Sequence, residues 1–122
     1  MTKALVVDDC RLPADTLCQM LRLLDVEAHV SYGSTPAILF LSQVTPDVVF
    51  LDVNMPGVGG FEVLSYLKRE PRMAHVPVVF VTADDSPETA AHARKEGAIA
   101  LIIKPASIDE IEDVLRSAKI IQ

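Results

Sequence analysis

Val48-Val49-Phe50-Leu51-Asp52-Val53-Asn54-Met55-Pro56-Gly57 is the stretch that decides the fold. Four apolar residues in a row suit a strand covered on both faces, as strands of a parallel sheet are. The run breaks at a carboxylate, Asp52, and enters a loop closed by Pro56-Gly57. A charge at the end of a buried strand is poor core material and good site material.

The same pattern recurs on both sides of this stretch. Leu5-Val6-Val7 ends in Asp8-Asp9, Val78-Val79-Phe80-Val81 in Thr82, and Leu101-Ile102-Ile103 in Lys104. Strands are expected at residues 3–8, 27–31, 47–52, 77–82 and 98–103. The second, Glu27-Ala28-His29-Val30-Ser31, is more polar and suits a sheet edge.

Helical patterns fill the gaps. Leu17, Met20, Leu21 and Leu24 fall at i, i+3, i+4 and i+7, one buried stripe of a first helix. Ser34 and Pro36 open a second as N-cap and first-turn proline. Phe61, Leu64 and Leu67 mark a third. Ser86-Pro87 opens a fourth and Gly97 closes it. Ser107-Ile108-Asp109-Glu110 reads as a capping box, and Ile108, Ile111, Leu115 and Ala118 supply the inner face of a fifth. The chain is therefore expected to be one α/β domain over residues 1–122, five βα units with a parallel sheet and helices on both faces.

Composition narrows the function. Apolar residues make up 50% and charged residues 23%, which suits a globular domain. The net charge of −6, with no cluster of Lys and Arg, argues against direct nucleic-acid binding. No apolar run approaches the roughly 18 residues that span a bilayer, so no membrane partner is expected. Met1-Thr2-Lys3 leads straight into a strand pattern, so no signal peptide and a cytoplasmic location are expected. Cys10 and Cys18 read as reduced thiols, Cys10 in a packing or incidental role. His29, His75 and His92 are scattered and read as surface or loop residues.

Open α/β sheets bind ligands outside the carboxyl ends of their strands, where the strand order reverses. If the order is 2-1-3-4-5, Asp8, Asp9 and Asp52 converge. Carboxylates that close repel, and one is pushed toward protonation unless a cation intervenes. A hard divalent ion such as Mg²⁺ meets that need, whereas zinc would want His or Cys beside the acids. Thr82 can present its hydroxyl to a group on Asp52. Lys104 lies two strands away, about 9–10 Å, a span only a long side chain covers. Each residue also has a plainer reading: Asp8-Asp9 as a solvated turn, Thr82 as a helix cap, Lys104 as a surface lysine, the glycines after Asn54 as turn formers.

Taken together, Val7-Asp8-Asp9, Leu51-Asp52-Val53-Asn54-Met55-Pro56-Gly57, Val81-Thr82-Ala83 and Lys104-Pro105 resemble the receiver domain of two-component response regulators, chemotaxis regulators among them. The resemblance spans the chain and implies a flavodoxin-like doubly wound sheet in the order 2-1-3-4-5. It implies that Asp52 is the phosphoacceptor, charged by a sensor histidine kinase or a phosphotransfer protein. Asp8, Asp9, Asp52 and the Asn54 backbone carbonyl would hold Mg²⁺, with Mn²⁺ as a substitute. Thr82 and Lys104 would hold the phosphoryl oxygens, while Asn54 and Asp84 lie where the family tunes dephosphorylation. Ala83 and Asp84 would follow Thr82 in a switch that controls a downstream effector. The alanine-rich fourth helix (Ala90, Ala91, Ala93) is a reasonable moving part. Dimerisation through the helix 4–strand 5–helix 5 face is common in the family, so the resemblance allows a homodimer there. One position departs: the family commonly has Tyr or Phe three residues before the strand-5 lysine, and here it is Leu101.

Competing readings are a receiver-like binding module that works without phosphorylation, and an enzyme on the same architecture. An aspartyl-phosphate phosphatase would want a second Asp where Asn54 stands, together with a cap domain. A flavin site would want a Ser/Thr/Gly-rich loop in place of Asp8-Asp9-Cys10-Arg11-Leu12-Pro13. No catalytic activity of its own is expected beyond self-phosphorylation from a donor and slow self-dephosphorylation.

Overall fold

Strands this apolar must be covered on both sides, and they are. The computed structural model describes residues 1–122. Its elements run β1 (Lys3–Val7), α1 (Arg11–Leu23), β2 (Glu27–Ser31), α2 (Ser34–Leu41), β3 (Val48–Leu51), α3 (Gly60–Arg69), β4 (Val78–Thr82), α4 (Pro87–Lys95), β5 (Ala100–Ile103) and α5 (Ile108–Ser117). All pairings are parallel, in the order β2-β1-β3-β4-β5. The expected fold and strand order are therefore what forms, with β2 at one edge.

Side chains alternate across the sheet and build two cores. Leu5, Val7, Val49, Leu51, Val78 and Phe80 pack with Ala37, Leu41, Val63, Leu64, Leu67 and Ala93 of α2, α3 and α4. Ala4, Val6, Val48, Phe50, Val79, Val81 and Ile102 pack with Ala14, Leu17, Cys18, Leu21, Ile111 and Leu115 of α1 and α5.

Several local expectations change. β1 and β3 end at Val7 and Leu51, one residue before the expected Asp8 and Asp52; the fifth strand starts at Ala100, not residue 98, although the Ile99 amide already donates to the Val78 carbonyl. Ser34 is the first helical residue of α2, not its cap; Gly33 holds that place at φ +123°, a conformation that favours glycine. Ser86 and Ser107 do cap α4 and α5, each accepting from the amide three residues on. Gly97 closes α4 at φ +98°. Ala118 is exposed at the end of α5, because that helix stops at Ser117 and its inward stripe is Ile111 and Leu115. Ile120 and Ile121 fold back onto the α1–α5 core and are half-buried.

Candidate functional site

The backbone ladder runs past the strand ends and sets the site. Asp52 donates its amide to the Val7 carbonyl at 3.0 Å, Asp8 to Ser31 at 3.2 Å, and Lys104 to Thr82 at 2.8 Å. Asp52 is thereby held beside Asp8, and Lys104 beside Thr82. The α3 start packs on the phosphoacceptor candidate from behind: a Cβ on Gly60 would stand 2.1 Å from the Asp52 carbonyl oxygen. That glycine answers a close backbone approach, a need beyond the turn role expected from sequence.

Asp8, Asp52 and Thr82 are buried; Asp9 is exposed. Lys104 reaches across two strands, as its length requires, and donates to Asp8 Oδ2 at 2.7 Å and to Asp52 Oδ2 at 3.2 Å. The surface-lysine reading ends there. The Asn54 amide donates to Asp52 Oδ1 at 3.3 Å, and the Cys10 amide to Asp8 Oδ1 at 3.0 Å. The Lys104–Pro105 peptide bond is cis.

Electrostatics follow from burial. Asp52 is held above the ordinary aspartate range, first by burial and then by the nearby charge of Asp8, with Lys104 and the Asn54 amide opposing. Lys104 would be lowered by burial, but the Asp8 hydrogen bond and the charges of Asp52 and Asp8 leave it above its usual value. The cation that intervenes between the acids is thus the lysine itself. Two carboxylates against one ammonium still leave the buried set anionic. Donor atoms of Asp8, Asp9 and Cys10 lie within 4.8 Å of one another, with Asp9 open to solvent. These carboxylate oxygens, facing water on one side, suit a hard divalent ion that keeps part of its hydration shell.

Strand alternation separates two tasks. Asp8, Asp52 and Lys104 line a cavity of about 360 Å³ on the α1 side, walled by Leu12, Leu17, Phe50 and Pro105. Thr82 continues the opposite parity, that of Val78 and Phe80, and belongs to the α3–α4 side. Its Oγ1 accepts from the Asp84 amide at 3.2 Å, and Ser86 rather than Thr82 caps α4. Asp84 is engaged at the start of α4: its Oδ2 accepts from the Thr89 hydroxyl at 2.6 Å and its Oδ1 from the Ser86 amide at 3.0 Å. The Thr89 hydroxyl, then the Ser86 amide, pull its carboxyl below the ordinary range. Ala83 is exposed on the same loop. Leu101 is half-buried, paired in register with Phe80 and packed on the α3–α4 core.

Cys10 is exposed, which leaves the incidental role of the two expected for it; Cys18 is buried, and burial pushes its thiol up. His29 stacks on Phe40 and His92 on Phe61, contacts that no spacing rule announces.

Comparison with known proteins agrees with this geometry. Residues 4–116 match the family model of the response regulator receiver domain. The response regulator PleD of Caulobacter vibrioides is 32% identical over 118 residues, covering 97% of this chain and 25% of that protein. The chain thus spans about a quarter of that relative's length. The two-component response regulator ORR8 of Oryza sativa is 29% identical, covering 92% of this chain and 93% of that protein. Among solved structures, the chemotaxis protein CheY4 of Vibrio cholerae superposes with a TM-score of 0.89 at 25% identity, covering 96% of this chain and 98% of that one. No helix is long and apolar enough to cross a membrane.

Proposed function

This chain belongs to the response regulator receiver domain family, and from that premise we propose that Asp52 accepts a phosphoryl group from a phosphohistidine. The observation that carries the proposal is Lys104 Nζ bonded to both Asp8 and Asp52, which joins the ends of β1, β3 and β5 around one oxygen-rich point. An Asp52 carboxylate oxygen attacks phosphorus. The new P–O bond forms as the P–N bond to the donor imidazole breaks, and its electron pair returns to that ring. Asp8, Asp9, Asp52 and the Asn54 backbone carbonyl would hold Mg²⁺, or Mn²⁺ in its place. Bound there, the ion would neutralise the phosphoryl oxygens. Lys104 exchanges a carboxylate partner for a phosphoryl oxygen, and the buried Thr82 hydroxyl turns toward the same group. Thr82 carries the Ala83-Asp84 loop with it, and this loop leads into α4.

The donor is a sensor histidine kinase or a phosphotransfer protein, and the output goes to a downstream effector. Residues 1–122 act as one receiver unit in the cytoplasm, with no nucleic acid or membrane bound directly. The α4–β5–α5 face is the surface for a homodimer. No observation favours the module that works without phosphorylation, since both acids, the acceptor and the lysine are all in place. Incubation with Mg²⁺ and acetyl phosphate, followed by intact-mass measurement, is expected to add one phosphoryl group. No gain, or a gain that persists in Asp52→Asn, overturns the assignment. Lys104→Ala is expected to be phosphorylated without the accompanying change in α4 amide exchange.

A further inference from the structure

Among the nine residues of α4, Ala93 alone is buried. Its N-terminal end is tied by Ser86 and by the Asp84–Thr89 hydrogen bond. Farther along, what lies against it is an aromatic stack. The His92 ring lies flat on Phe61 of α3, with centroids 3.9 Å apart and planes at 16°. Phe61 in turn leans on Phe80 of β4, with centroids 5.0 Å apart at 51°. Phe80 is fully buried, faces the same side as Thr82 two residues on, and pairs with Leu101 of β5.

We propose that the His92–Phe61–Phe80 stack is a latch that holds α4 against α3 at rest, so that α4 is freed only when His92 leaves Phe61. With only Ala93 of its own in the core, the helix has few other contacts along its length to hold it. The latch gives meaning to the switch proposed above, but its resting state does not depend on phosphorylation. It can therefore be tested without a phosphodonor, and its failure is distinguishable from failure of the Asp52 assignment.

The test is amide hydrogen exchange on the full chain in the absence of Mg²⁺ and donor. His92→Ala is expected to speed exchange across Ala90–Lys95 by about 2- to 10-fold, the range an aromatic pair supports, with Ile111–Leu115 unchanged. Alanine is the better helix former, so intrinsic propensity would act in the opposite direction. His92→Phe keeps a ring over Phe61 while removing the 3.4 Å contact of His92 with Glu96. It is expected to restore the natural rate. Unchanged exchange in His92→Ala overturns the latch. So does exchange in His92→Phe as fast as in His92→Ala, which would assign the effect to Glu96 instead.

Discussion

The two helices α4 and α5 are capped alike and held differently. Each starts at a serine that accepts an amide from its first turn. Beyond the cap, α5 drives Ile111 and Leu115 into the core, while α4 buries only Ala93 and leans on a ring stack and one aspartate. Apolar burial is non-directional and yields only when the core opens. A stacked ring or a hydrogen-bonded carboxylate is directional and can be exchanged for another partner. The lightly held helix is also the one that follows the Thr82 loop, so weakness and position coincide.

Replacing Leu115 by Ala should break the comparison most forcefully, with a loss of about 2–5 kcal/mol in denaturant-measured global stability. No position on α4 offers an equivalent loss; a similar global cost for any single α4 substitution would refute the contrast. The caps give a finer test. Ser107→Ala and Ser86→Ala each remove one cap bond, about 1 kcal/mol of helix stability. In α5 the cost should appear in global unfolding, because that helix comes apart only with the core. In α4 it should appear as faster local amide exchange with little change in the global midpoint. Equal global costs would count against independent opening of α4.

The smallest effect concerns Asp84. Its folded carboxyl lies below the ordinary aspartate value, so the stability it contributes is present in full above the unfolded pKa. That contribution fades as the pH falls through the ordinary aspartate range toward the lower folded value. Thr89→Ala removes the main cause and should flatten that acid limb for α4 exchange while leaving α5 unaffected. An unchanged pH profile would show that the Asp84–Thr89 bond does not fasten the helix.

The four polar strand ends and the five βα units were legible because they rest on short-range rules, whereas the 2-1-3-4-5 order rested on the resemblance to the receiver family. Near-continuous apolar runs, the Ser86-Pro87 and Ser107 caps, and Gly97 at a helix end each depend on a few neighbouring residues. Ser34 was misplaced because serine next to glycine satisfies the same composition rule one residue too late; only the backbone shows that Gly33 needs the positive φ. Ala118 was assigned inward by periodicity, which has no way to know that α5 ends one residue earlier. The plain reading of Lys104 as a surface residue fails for the converse reason: its two partners are 96 and 52 residues away in sequence.

By itself the sequence determined the five βα units and the polar chemistry at the carboxyl ends of their strands, because strand periodicity and charge type are written locally. Tertiary structure alone decided what each group touches. It put the Lys104 ammonium between Asp8 and Asp52, packed Gly60 against the Asp52 carbonyl, and laid His92 over Phe61. Each of these meetings joins side chains or backbone brought together by the strand order or by the packing of helices on the sheet, a relation that no local pattern encodes.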